Sequence, residues 1–228
     1  MAYGVRLKVW GERACFTRPE MKVERVSYDV MTPSAARGIL EAVLWKPQIR
    51  WVVDRIHVLR EIRFQSFRRN EVGQKASAAN AASAMKRGTT QGLGLVVEDN
   101  RQQRATTMLV DVAYVIEAHF EMTGRAGPDD GPAKYASMFN RRAATGQCFH
   151  RPCLGTREFP ADFELIADGE PFPESRLPAE QRGRDLGWIL HDLDFRNPKN
   201  VTSRFFRARL DEGVLDIHRC LAESGVAQ

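Results

Sequence analysis

No stretch of this chain approaches the roughly eighteen consecutive apolar residues that a membrane-spanning helix needs. The opening Met1-Ala2-Tyr3-Gly4-Val5-Arg6 also lacks the apolar core of a secretory signal, so the expected location is the cytoplasm and no membrane partner is expected. Cysteine is scarce. The four that occur, Cys15, Cys148, Cys153 and Cys220, form no C-x-x-C pair and match no histidine spacing, which excludes a zinc knuckle and a disulfide framework and leaves small thiols of the interior. No internal repeat implies a solenoid.

What the chain does have is enough apolar content to fold: 43% of its 228 residues are hydrophobic, an ordinary supply for one large domain or two small ones. Its formal charge of +5 is unevenly spread. Between Arg50 and Arg104 eleven Lys and Arg face five Asp and Glu, while the remainder carries 23 against 24. Such a stretch reads either as a solvated loop or as a surface that tracks phosphates.

Val5, Leu7 and Val9 alternate with Arg6, Lys8 and Trp10, the period of a half-buried strand. Thr32-Pro33 offers a helix cap, and Ala36, Ile39, Leu40, Val43 and Leu44 make an apolar stripe, so the spacing predicts a helix from Pro33 to Lys46, ended by Pro47. Ile49 to Phe64 reads as one long strand or two short ones. The next stretch, about 66–104, is an insertion. Its centre, Ala76 to Ala84, is low in complexity and is flanked by Arg68-Arg69, Lys86-Arg87 and Arg101-Gln102-Gln103-Arg104, so it is either disordered or functional.

From Val112 to Met122 alternation is almost strict, and it places His119 on the face opposite the core, with Glu117 and Glu121 beside it at i±2. A helix over about 133–145 and a strand near Phe163 follow. The order strand, helix, strand, strand, helix, strand is the split βαβ plan of a ferredoxin-like α+β domain, also the plan of RNA-recognition modules. Residues 1–170 form this domain, with the insertion inside it. Residues 171–228 read as a small, mainly β part, with strands at Leu186–Phe195 and Arg204–Leu210. There Asp211-Glu212-Gly213 is expected to turn a hairpin into Val214-Leu215-Asp216-Ile217.

One set of motifs, in order and spacing, resembles the fifth Cas protein family of subtype I-C CRISPR systems, within the RAMP superfamily. It comprises Cys15-Phe16-Thr17-Arg18-Pro19-Glu20, Ser27-Tyr28-Asp29-Val30, Ala36-Arg37-Gly38-Ile39-Leu40-Glu41-Ala42, Trp45-Lys46-Pro47, Arg68-Arg69-Asn70-Glu71, Arg101-Gln102-Gln103-Arg104, Glu117-Ala118-His119-Phe120-Glu121 and the run Pro152 to Phe159. The resemblance implies binding to the stem-loop of the CRISPR repeat RNA and metal-independent cutting of it without a cofactor. It also implies retention of the product in an interference complex with other Cas subunits.

The resemblance places a catalytic histidine at His119. It also implies a tyrosine just before Trp45-Lys46-Pro47, where this sequence has Leu44, and a lysine next to the histidine, where it has Ala118; Lys46 is the nearby cation that could serve. Arg68, Arg69, Arg101, Gln102 and Arg104 combine cations and amides suited to phosphates and base edges, and Gly155 resembles the glycine of a loop that lets backbone approach RNA.

The chemistry of such cleavage uses the substrate's own 2′-hydroxyl, so the protein must supply a base, an acid and positive charge at the phosphate. Histidine fits either proton role because its ordinary pKa, about 6.5, lies near working pH. Other readings stay open at this stage. One is a non-catalytic subunit capping the 5′ handle of an RNA cut elsewhere, which Leu44 favours. Another is a duplex-DNA binder or a metal-dependent nuclease built on Glu117, His119 and Glu121.

Overall fold

Val5, Leu7 and Val9 turn inward from the first strand, β1 (Gly4–Ala14), in the computed structural model, which describes residues 4–21 and 23–225. A two-residue strand, β2 (Arg25–Val26), precedes the first helix, α1 (Pro33–Val43). Thr32 caps that helix by accepting the Ala35 N–H at 3.3 Å, and Ala36, Ile39, Leu40 and Val43 are its buried stripe. The helix stops at Val43, three residues short of the expected Lys46. Pro47 explains the loss, since it cannot donate to the carbonyl four residues back, that of Val43. Arg142 satisfies that carbonyl instead, at 3.0 Å.

The span Ile49 to Phe64, read as one strand or two, holds one, β3 (Ile49–Val58), and ends where the next begins, β4 (Phe64–Val72), which runs into the stretch read as an insertion. After the helix α2 (Ala78–Arg87) comes the longest element, β5 (Arg101–Met122), then α3 (Pro132–Ala144), β6 (Asp162–Leu165) and the short α4 (Ala179–Arg182). The chain continues with β7 (Asp185–Asp194), β8 (Thr202–Arg209), β9 (Val214–Asp216) and α5 (Ile217–Glu223). Neighbours in the main sheet run β6-β1-β5-β3-β9, each pair antiparallel.

The chain falls into two compact units. One combines the chain up to Gln65 with the chain from Thr107 onward. Its core lies between the main sheet and the helices. Trp51 on β3 meets Phe120 on β5 and Phe139 on α3 at ring separations of 5.3 and 4.8 Å, while its indole N–H donates to the Leu44 carbonyl. A second apolar cluster, Leu59, Ala113, Val115 and Ile166 with Trp10 against it, covers part of the opposite sheet face. The Arg18 guanidinium sits 4.4 Å over the Tyr28 ring, and Asp29 binds Arg18 and Arg184, which fixes the segment holding two of the sequence motifs.

Ser66–Thr106 is the other unit. Its low-complexity centre is helical because alanine has the highest helix propensity and both ends are capped. Ser77 accepts the Asn80 N–H, and Gly88 closes the helix in the left-handed conformation at φ 67°. Strand β4 pairs with β5.

The expected C-terminal hairpin forms only at its turn, where Asp211 and Val214 bond each other's backbone at 2.9 Å. Asp211-Glu212-Gly213 does turn, with Glu212 at φ 49° and Gly213 at φ 80°, but β8 pairs with β7 and the strand after the turn joins the main sheet beside β3. Local turn chemistry was right; burial of Leu215 and Ile217 chose the partner.

Candidate active site

The ladder between β3 and β5 sets the site. Val52 stands opposite His119 and Val53 opposite Ala118, but the register then shifts so that Arg55 faces Glu117. Asp54 is the extra residue of this irregularity. A bulge of this kind re-aims one side chain, and here it brings a carboxylate onto the histidine: both oxygens of Asp54 lie 2.9 Å from His119 Nδ1.

An ionised carboxylate only accepts, so Nδ1–H of His119 is the donor and Nε2 is the ring nitrogen left for proton transfer. The same carboxylate accepts from His218 Nε2 at 2.7 Å, and the two imidazoles lie nearly parallel with centroids 6.5 Å apart. His218 arrives there because β9 pairs with β3 at Arg55 and because Ile217, Cys220 and Leu221 bury the other side of α5.

Glu117 and Glu121, which flank His119 on its strand, have partners across the ladder. Glu121 faces Arg50 across the ladder and accepts from it at 2.6 Å; Glu117 faces Arg55 and accepts from His57 at 3.2 Å. Opposite charges across a strand pair are a favourable arrangement. The His57 hydrogen bond holds the Glu117 carboxyl below the usual carboxylate range against the opposing effect of its burial, and the Arg50 hydrogen bond does the same for Glu121. Glu117, His119 and Glu121 therefore do not converge as a ligand set, and among the described residues no three or more His, Cys, Asp or Glu side chains cluster as metal ligands.

Beside Asp54 and His218 opens a cleft of about 710 Å³, lined also by Arg6, Arg55, Glu117 and Asn140, among others; His119 is not part of its lining. Its volume is in the range of ligand sites, and its lining combines cations with proton-transfer groups.

Other sequence candidates lie apart from this pair. Leu44 is wholly buried, so the position where a tyrosine is implied holds a core side chain. Lys46 is partly exposed in the loop before β3, outside the ladder, which begins at Ile49 opposite Met122 and reaches His119 at Val52. In the Ser66–Thr106 unit, Arg68, Arg101 and Gln102 are exposed. Arg69 and Arg104 both bind Glu71, and Arg69 also donates to Thr106 at 3.1 Å. Gly155 has φ 89°, and a Cβ there would lie 2.0 Å from the Cys15 carbonyl oxygen. The glycine thus permits its own loop to approach the end of β1, where the Cys15 N–H donates to the Leu154 carbonyl.

Comparison with known proteins gives consistent relatives. The family model described as CRISPR-associated protein (Cas_Cas5) matches residues 4–218. A curated protein of Mannheimia succiniciproducens, named CRISPR pre-crRNA endoribonuclease Cas5d, is 58% identical, covering 98% of each chain. A protein of the same name from Thermus thermophilus is 43% identical, covering 93% of this chain and 90% of its own. Among solved structures, one described as a CRISPR-associated protein superposes with a TM-score of 0.65 at 24% identity, covering 94% of this chain and 91% of the other. A chain of a CRISPR RNA-guided surveillance complex superposes at 0.51 with 14% identity, covering 91% of this chain and 90% of its own. At these identities the structures speak for the fold alone.

Proposed function

Since the chain belongs to the CRISPR-associated Cas5 family, we propose that it binds the stem-loop of the CRISPR repeat in precursor RNA, cuts it without a metal, and remains on the product as a subunit of the interference complex. Two whole-length relatives carry the name of that endoribonuclease activity. The sheet order β6-β1-β5-β3, together with helices α1 and α3 between strands, supports reading residues 1–170 as a ferredoxin-like RNA-binding domain, with residues 171–228 as a smaller part packed on it.

The observation that carries the catalytic reading is the Asp54–His119 pair. A carboxylate on Nδ1 fixes the tautomer and aims Nε2, the arrangement that makes an imidazole an effective proton donor and acceptor. In the reaction the substrate's 2′-oxygen gives its proton to solvent and attacks the adjacent phosphorus. The bond from phosphorus to the 5′-oxygen then breaks, and the departing oxygen takes the proton that Nε2 carries in the imidazolium form of His119. The products are a 2′,3′-cyclic phosphate and a 5′-hydroxyl, with no water consumed. His119 serves as the acid at the leaving oxygen, and Lys46 and the exposed cations Arg68 and Arg101 balance phosphate charge along the RNA.

Purified protein incubated with repeat RNA in excess chelator tests the reading. One defined cut is expected. Binding without a cut would make the chain a cap of the 5′ handle, and activity only after metal is restored would make it a metal-dependent nuclease.

A further inference from the structure

A carboxylate has more acceptor positions than one imidazole N–H can fill, so Asp54 keeps room for a second donor while both of its oxygens lie 2.9 Å from His119 Nδ1. Asp54 is the unpaired residue of the β3 irregularity, so the ladder that holds its neighbours does not hold it. A second donor on the carboxylate would help to fix its side chain against His119. His218 is placed to do so: Nε2 meets Oδ1 at 2.7 Å from the first turn of α5, a helix anchored by the buried Ile217, Cys220 and Leu221. Asp216 ties the same segment to β3, accepting from Arg55 Nε at 3.0 Å and capping the Arg219 N–H at 3.0 Å.

We propose that His218 is a positioning residue of the cutting site: its N–H fixes the Asp54 carboxylate, which in turn holds the His119 ring with Nε2 aimed at the scissile phosphate. The inference rests on the endoribonuclease reading above and extends it to a residue of the C-terminal segment, 164 positions from Asp54 in sequence. The imidazole pair is therefore a relay of orientation. His218 orients Asp54, Asp54 orients His119, and His119 moves the proton.

The test is a double-mutant cycle on Asp54 and His218, read by single-turnover cleavage of repeat RNA at saturating protein in chelator, with RNA affinity measured alongside. His218→Ala is expected to slow cleavage about tenfold to a hundredfold, the scale for residues that orient a functional ligand, with affinity unchanged. His218→Gln, which keeps an N–H at nearly the reach of Nε2, is expected to restore most of the rate and also controls for folding. With Asp54→Ala present, adding His218→Ala is expected to cost nothing more, because the two act in series. Nitrogen-15 NMR of the His119 ring supplies a readout that does not depend on cleavage: the Nδ1–H tautomer of the parent should lose population in His218→Ala.

Parental cleavage by His218→Ala, or fully additive losses, would overturn the proposal while leaving the cutting reading intact. A His218→Gln as slow as His218→Ala would show that the imidazole itself is required and would also overturn positioning. If the parent never cuts, the endoribonuclease reading fails; the His119 tautomer then decides the proposal by itself, an unchanged ring in His218→Ala rejecting it.

Discussion

Arg37 on α1 holds Asp192 on β7 with both terminal guanidinium nitrogens, Nη2 at 2.9 Å from Oδ1, joining residues 155 apart in sequence. Both groups are partly shielded from water, with side-chain exposures of 32% and 21%. A two-pronged pair of this kind is stronger than a surface ion pair, and partial exposure lowers its worth from that of a buried one. Arg37→Ala should destabilise the protein by about 1–2 kcal/mol, lowering the midpoint of thermal unfolding by about 2–8 °C. Arg37→Lys should recover only part of this, because an ammonium lacks the planar fork that gives each oxygen its own nitrogen. Calorimetry of the two variants measures it.

Gly155→Ala should be among the most damaging single-methyl changes in the chain. The new Cβ would fall 2.5 Å from the Cys15 carbonyl carbon, against backbone that cannot move as a flexible side chain can. The backbone there also has a positive φ that alanine adopts only at a cost. A loss of more than about 2 kcal/mol is expected by denaturant unfolding, within the range for overpacking plus strain. Stability equal to the parent would show that the loop can retreat from β1.

Repeat-RNA affinity should respond unequally to the arginines of the Ser66–Thr106 unit. Arg68 and Arg101 are exposed, whereas Arg69 and Arg104 neutralise Glu71. Replacing Arg68 and Arg101 together by alanine should weaken binding and flatten the plot of log affinity against log salt by about 0.7–0.9 for each phosphate that is no longer neutralised. Arg104→Ala should flatten it less. Filter binding across a salt series distinguishes the cases, and an unchanged slope in the double variant would remove this face from the RNA-binding surface.

His119→Ala should reduce single-turnover cleavage by about a hundredfold to ten-thousandfold, the usual contribution of a general acid or base, and leave repeat binding nearly intact. Asp54→Asn should produce a loss of similar order, because an amide can present its N–H to Nδ1 and select the wrong tautomer. Lys46→Ala should slow cleavage by less. Cleavage by His119→Ala at the parental rate in chelator would remove the histidine from the mechanism.

Acid stability should carry a contribution from Glu117. Its carboxyl is held below the ordinary value of 4.5, first by the His57 hydrogen bond and then by charge from His57 and Arg55. The unfolded chain therefore binds a proton more readily than the folded one. That contribution is complete above about pH 4.5, begins to fall as the pH drops below it, and is lost once the pH falls through the depressed folded value. Glu117→Gln should flatten the stability profile in that acid window, as measured by urea unfolding across pH.

Elements held by local pattern were legible in the sequence. The alternation of Val5, Leu7 and Val9, the Thr32 cap and the parity of β5 all rest on interactions within a few residues, and parity alone placed His119 on its face. Asp54 was not legible. A bulge interrupts the period on which strand reading depends and leaves no residue-type signature, so nothing in Val52-Val53-Asp54-Arg55 marks the carboxylate as the partner of a residue 65 positions away. The glutamates at i±2 were nearer in sequence, yet the cross-strand register gave them to Arg50 and Arg55. His218 escaped for the same reason as β9: both sit where tertiary packing, and not the preceding turn, selected the neighbour.

Strand β9 and the first turn of α5 also impose an order in time. Synthesis runs from the N-terminus, and Asp54 emerges 164 residues before the imidazole that meets its Oδ1. A nascent chain can fold β3 against β5 and present His119, but its carboxylate stays half-partnered until residue 218 has left the ribosome. A product of interrupted translation would therefore lack the second donor on Asp54, together with the buried Ile217, Cys220 and Leu221 that anchor α5.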